Sequence, residues 1–155
     1  MSAFYRFSPI TSEEKLQESL LYLVDELQKL SQKVLDQTLP VSIVKVFAHY
    51  PEEYDFLYNL IEKKGPQEPF TSDKNLYVHV DQMIHDQHIT SLGVRIVDPY
   101  RLQVGCGDYA VPDFAAFREK YITTSPFIRD AKDSTDMLEI WHPDFDVLGY
   151  VIPEE

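Results

Sequence analysis

Between Thr11 and Thr38 the residues Leu16, Leu20, Leu23, Leu27, Leu30 and Val34 step four, three, four, three, four. That spacing lays them along one stripe of a single long helix, and Leu21, Val24 and Leu35 widen it. Thr11 followed by Glu14 has the spacing of a capping box. Leu39-Pro40 stops the helix, because the residue before proline disfavours the α region. So wide an apolar stripe has to be covered, and two partners can cover it. One is a sheet of the same domain. The other is a second copy of the chain, since an a/d repeat over about two and a half heptads is also the seam of a short coiled coil and hence of a homodimer.

The rest of the chain supplies strands. Val41–His49, VSIVKVFAH, is rich in β-branched residues and reads as a strand. Pro51 and the acids Glu52 and Glu53 open a second helix, with Tyr54, Leu57, Leu60 and Ile61 as its buried stripe and Gly65 at its end. Leu76–Val80 is a short strand, and the polar stretch 81–87 reads as a loop. His88 to Tyr121 is the most organised passage: two strands joined by a turn at Asp98-Pro99-Tyr100-Arg101, then a helix beginning at Asp113-Phe114. A polar connection follows, with a short strand near Phe127-Ile128. Met137–His142 and Asp146–Ile152 close the chain as a hairpin.

Bulk properties narrow the class. A chain of 155 residues suits one domain. Its 14 Lys+Arg stand against 26 Asp+Glu, a net charge of −12, and no basic run or aromatic–basic interleaving breaks that excess. A polynucleotide is therefore not an expected partner. The single Cys106 excludes an intramolecular disulfide and a cysteine zinc cage. The opening MSAFYRFSPITSEE has no apolar signal core, and no apolar run reaches the ~20 residues of a membrane span. The expected location is the cytoplasm, with no membrane partner.

An internal similarity organises these pieces. His49-Tyr-Pro-Glu-Glu-Tyr-Asp-Phe-Leu57 and Tyr109-Ala-Val-Pro-Asp-Phe-Ala-Ala-Phe117 each follow a strand and place an acid, an aromatic and then an apolar residue at matching positions. Each is later followed by a proline turn, Asp98-Pro99 or His142-Pro143. The order becomes a helix (1–40), then β-α-β-β-β (41–107), then a shorter β-α-(β)-β-β (108–155). That order, with the hairpins VRIVDPYRLQVG and LEIWHPDFDVLGYV, resembles the glyoxalase/bleomycin-resistance/extradiol-dioxygenase superfamily, the vicinal-oxygen-chelate fold. The resemblance implies an α+β domain whose two half-modules form a curled, mostly antiparallel, half-open sheet around a pocket. It also implies a divalent metal held by residues on the first and last strands of each half-module. Here those strands offer His49, Gln103 and Asp108. The last strand carries Gly149 and Tyr150 where a fourth ligand, a carboxylate, would be wanted.

Strand alternation nominates the remaining candidates. Val44, Val46 and Ala48 form the aliphatic face that helices should cover, which leaves Lys45, Phe47 and His49 on the other. The same alternation adds Tyr77, His79, Arg95, Gln103, Glu139 and Trp141. A groove with Lys45, His49, His79, Arg95, Gln103 and Glu139 holds both charges and imidazoles, as a small polar or anionic ligand requires. An open sheet face wetted by solvent has the same alternation. In an enzyme, His49 or His79 would be the base or ligand and Glu139 the acid/base, with Lys45 and Arg95 as anion holders. His79, His85 and His88 with Asp81 and Asp86 form a cluster that can ligate a metal or simply be solvated. Cys106 reads as a small buried apolar residue. The leading expectation is a small-molecule-binding domain, and the rival is a non-enzymatic acidic interaction or homodimerisation module.

Overall fold

The leucine stripe finds its partner inside the chain. In a computed structural model, which describes residues 5–131 and 136–154, helix α1 (Glu13–Leu35) buries Leu16, Leu20, Leu23, Leu27 and Leu30 completely. The helix starts one residue later than the capping box suggests. Ser12 is the N-cap, its hydroxyl accepting from the Lys15 N–H at 3.1 Å. Asp36 ends it in the left-handed region at φ 57°. The stripe is thus spent on the sheet, while Leu21, which widens it, stays exposed.

The remaining elements are β1 (Val41–Phe47), α2 (Pro51–Glu62), β2 (Asn75–Ile84), β3 (Gln87–Arg95), β4 (Gly105–Val111), α3 (Phe114–Tyr121), β5 (Ile128–Asp130), β6 (Leu138–Ile140) and β7 (Val147–Pro153). The strands form one sheet in the order β2-β3-β1-β4-β7-β6-β5. β1 pairs parallel with β3, and β4 parallel with β7, while the other four pairings are antiparallel. The class is α+β, with an open, mixed and mainly antiparallel sheet.

All three helices join the core on one face of that sheet. Val44 and Val46 on β1 line up with Leu92 and Val94 on β3 and with Val78 and Leu76 on β2, and all six are buried. α1 lies across β1, β4 and β7, and α2 across β2 and β3. The helix-facing residues of β4 are Gly105, Gly107 and Tyr109, and this composition seats α1. A Cβ on Gly107 would stand 2.4 Å from Leu27 Cδ1, and one on Gly105 2.2 Å from the Lys45 carbonyl oxygen. The Tyr109 hydroxyl donates to the Leu27 carbonyl of α1 from a fully buried position. Leu27→Ala is expected to lower stability by about 2–5 kcal/mol, read as a lower urea midpoint with an unchanged slope.

Two pairings differ from the expected ones. The stretch 81–87 is strand and turn rather than loop: β2 and β3 run on to a tight hairpin in which His85 (φ 48°) and Asp86 (φ 65°) take the left-handed conformation. Positive φ at both central residues is what a two-residue hairpin of right-handed twist demands. The turn at Asp98–Arg101 closes with an Arg101 N–H to Asp98 carbonyl bond of 3.3 Å, but it does not join a hairpin. β3 and β4 lie on opposite sides of β1, so residues 96–104 cross the end of that strand. The junction expected at 107/108 therefore falls inside β4. The closing hairpin forms as expected, β6 against β7, with β5 beyond it.

Candidate functional site

With the helices gathered on one face, the other face of the sheet is free for a site. Its side chains follow from the register. One row runs Tyr77, Gly93, Lys45, Cys106, Leu148 across β2, β3, β1, β4 and β7. The adjacent row runs Asp108, Tyr150, Glu139, Arg129 across β4, β7, β6 and β5. Between and above them lies a cavity of about 330 Å³ lined by Lys45, Asn75, Tyr77, Arg101, Cys106, Asp108, Glu139 and Tyr150, with Ala131 and Met137 at the side. That volume falls in the range of small-molecule sites.

Each charged group has its own surroundings. The Lys45 ammonium donates to Asn75 Oδ1 at 2.9 Å and lies 5.5 Å from the centre of the Tyr77 ring. It reaches them by passing over Gly93, where a Cβ would stand 2.7 Å from the Tyr77 ring. Glu139 accepts from the Arg129 guanidinium and, at 3.4 Å, from the Tyr150 hydroxyl. Arg101 lies over Phe47 at 5.5 Å, with Nε 3.6 Å from Asp98. Asp108 has no hydrogen bond or ion pair among the described residues. Burial pushes its carboxyl up to about 6, and the charge of Lys45 opposes the shift. Burial also raises the Tyr77 and Tyr150 phenols above their usual range.

Cys106 packs with Phe47 and Leu148 in a small second core on this face, flanked by Trp141 and Tyr150. Burial pushes its thiol up to about 11. A thiol so far from ionisation is a weak nucleophile at neutral pH. Cys106 is expected to resist iodoacetamide at pH 8 in the native protein and to react fully in urea, as followed by intact mass.

Of the sequence candidates, Lys45, Tyr77, Asp108 and Glu139 converge in this cavity, while His49, His79, Arg95, Gln103 and Trp141 do not line it. His49 is 3% exposed and sealed beneath the N-terminal segment. The Tyr5 ring stacks on it at 3.8 Å, and Ser8 Oγ lies 2.6 Å from its Nδ1. Its backbone N–H donates to Glu53 Oε1 at 2.7 Å, while Glu53 Oε2 accepts from the Ile10 N–H at 2.6 Å. Burial pushes the imidazole pKa down, against the pull of Glu53. Gln103 joins His49 at a separate cavity of about 10 Å³, room for a single water. His79 is exposed, 3.9 Å from Glu68. Arg95 is held near Asp98 at 4.0 Å. Trp141 packs edge-on against Phe127, with Arg129 over its ring.

The implied metal does not fit this arrangement. His49 and Gln103 border one cavity and Asp108 another, and Nδ1 of His49 is already engaged by Ser8. Among the described residues no group of three or more His, Cys, Asp or Glu side chains is placed to hold an ion. The cluster of His85, His88, Asp81 and Asp86 resolves into separate contacts, His88 with Asp81 and His85 with the Leu21 carbonyl. Asn75, Arg101 and Tyr150 line the cavity without having been candidates. Tyr150 was within reach of strand alternation in DVLGYVI. Arg101 lies in the connection, where no periodicity applies.

The open α+β fold has a counterpart among solved structures. A structural-genomics structure of protein EC4020 superposes with a TM-score of 0.67 at 10% identity, covering 100% of this chain and 93% of that one. A glyoxalase/bleomycin resistance protein/dioxygenase superfamily member from Vibrio splendidus 12B01 superposes at 0.44 and 12% identity, over 76% of this chain and 100% of that one. The likeness to EC4020 is one of fold. No protein-family model matches the sequence, and no curated protein matches it. No helix among the described residues is long and apolar enough to cross a membrane.

Proposed function

We propose that the chain is a small-molecule-binding domain whose ligand occupies the cavity on the helix-free face of the sheet. The observation that carries this reading is the convergence of Lys45, Asp108, Glu139 and two half-buried tyrosines in one cavity of about 330 Å³. Neutral phenols give a ligand flat walls and hydroxyl partners, and Lys45 and Arg101 offer N–H donors to an anionic group. Binding is favoured over catalysis, because His49 and Glu139, the two nominated proton carriers, stand in different cavities. The arrangement also supports a reading of the chain as two related half-modules. β1–α2 and β4–α3 each begin a unit whose last strand, β3 or β7, returns parallel to its first. The cavity sits astride the β1–β4 junction.

The test is thermal melting of the protein and its Lys45→Met variant against small carboxylates, phosphates and polyhydroxylated acids. A ligand at one hundred times its Kd contributes about 2.7 kcal/mol, or roughly 5–10 °C in a domain of this size. The expected result is such a shift with an anionic compound, lost in Lys45→Met. Equal shifts in both proteins, or none in either, would overturn the reading.

One observation favours a second reading, an interaction module. Tyr100 is 90% exposed and Leu102 63%, two residues apart on the 96–104 connection. Light scattering checks it: a stable dimer that Tyr100→Ser with Leu102→Ser converts to monomer supports this reading, and a monomer at high concentration removes the homodimer.

A further inference from the structure

Lys45 and Asp108 occupy diagonal positions on neighbouring strands, Lys45 opposite Cys106 and Asp108 two residues beyond it. Side chains so placed have Cα atoms roughly 7–8 Å apart and are within reach of each other. They do not pair. No ion pair within 4.0 Å involves either residue among the described ones, and the Lys45 ammonium is drawn away to Asn75, over a strand that Gly93 keeps low. The other two charges lining the cavity have partners: Glu139 has Arg129, and Arg101 has Asp98. Among the described residues, the cavity therefore holds Lys45 and Asp108 without a partner of opposite charge, apart across a gap lined by Tyr77 and Tyr150.

We propose, building on the reading of this cavity as a small-molecule site, that its ligand is a zwitterion of the amino-acid class. The ligand's ammonium sits on Asp108 beside Tyr150, and its carboxylate sits on Lys45, which has two N–H donors left after Asn75. Each half-buried charge then gains an opposite partner, which the described residues do not supply. A ligand with one charge satisfies one side and leaves the other unpaired, a penalty in a partly desolvated site. Gly93 and Asn75 act as positioning residues, because they hold the two charges apart.

Isothermal titration at pH 7.5 with L-norleucine, ε-aminohexanoate, hexanoate and hexylamine tests this. At least one zwitterion is expected to bind more than about tenfold tighter than both single-charge compounds, the margin one well-formed ion pair supplies. Asp108→Asn is expected to reduce that zwitterion to the affinity of hexanoate. Asn75→Leu, which releases Lys45 toward Asp108, is expected to weaken the zwitterion most of all. Failure of both zwitterions to gain over hexanoate, or a gain that survives in Asp108→Asn, would overturn the proposal. Hexanoate binding that is lost in Lys45→Met but never improved by the amine would overturn the zwitterion alone and leave the small-molecule site standing. If none of the four compounds binds, the zwitterion proposal is overturned, and the site itself is judged by the melting comparison with Lys45→Met.

Discussion

Asp108→Asn is expected to make the protein more stable at neutral pH, by up to about 3 kcal/mol. The Asp108 carboxyl is pushed from 3.8 to about 6 by burial. A shift of roughly two units corresponds to about 3 kcal/mol. The sign follows from proton binding: the folded chain holds this proton more tightly than the unfolded one. Stability from this group is therefore fullest below pH about 4, falls as the pH rises toward about 6, and stays at its lower value above that. Asparagine cannot ionise and escapes the loss. The groups facing Asp108 are Lys45 on β1, Tyr77 on β2, Glu139 on β6, Tyr150 on β7, Cys106 on its own strand and Arg101 from the connection. Other carboxylates titrate in the opposite sense, Asp130 and Glu13 being held below the usual range by Arg118 and Lys64. The informative quantity is therefore the difference between variant and parent. Urea unfolding at pH 4, 6 and 8 should show that difference growing from near zero to its full value. A variant no more stable than the parent at pH 8 would contradict the account of Asp108 as a half-buried charge with no ion-pair partner among the described residues.

Glu53→Ala is expected to produce the largest loss of stability among single substitutions away from the leucine core, about 3–5 kcal/mol. The side chain is buried, and its two carboxylate oxygens accept the backbone N–H groups of His49 and Ile10. Each charge-assisted bond contributes roughly 1.5–3 kcal/mol, and its loss leaves a buried N–H without a partner. The effect should spread through the N-terminal segment, since the Ile10 bond anchors residues whose Tyr5 covers His49 and whose Arg6 pairs with Asp146. Hydrogen exchange at Ile10 and His49 should quicken sharply, and His49 should become accessible to diethylpyrocarbonate. Glu53→Gln, with one acceptor oxygen, should fall between the two. Unchanged exchange at Ile10 in Glu53→Ala would show that other contacts hold the segment.

Much of this fold was legible in local pattern, because local pattern is what α1, β1 and the closing hairpin depend on. The four-three stepping of the leucines identified α1 and its buried face. The aliphatic alternation of Val44, Val46 and Ala48 separated the helix side of the sheet from the site side, and that separation placed Lys45, Tyr77 and Glu139. The failures lie where structure depends on distant partners or unusual turn residues. β1 pairs with β3 and β4 with β7, parallel contacts between strands far apart in sequence that no local signal reports. Lacking them, the proline turn at Asp98 looked like a hairpin. The true hairpin turn, His85-Asp86, carries neither glycine nor asparagine, the usual residues for positive φ. His49 was attractive because imidazole is versatile, and only the N-terminal segment folding back over it shows why it is sealed. Glu53, read as an acid complementing a helix dipole, turned out to be a buried backbone clamp.

The central claim is that ligand binds the helix-free face of the sheet, and amide chemical-shift mapping during titration tests it most directly. With a compound that raises the melting temperature, the account predicts perturbations concentrated on Lys45, Tyr77, Cys106, Asp108, Glu139 and Tyr150, and lost in Lys45→Met. Shifts confined to His49 and the N-terminal segment, or to the outer face of α1, would contradict it.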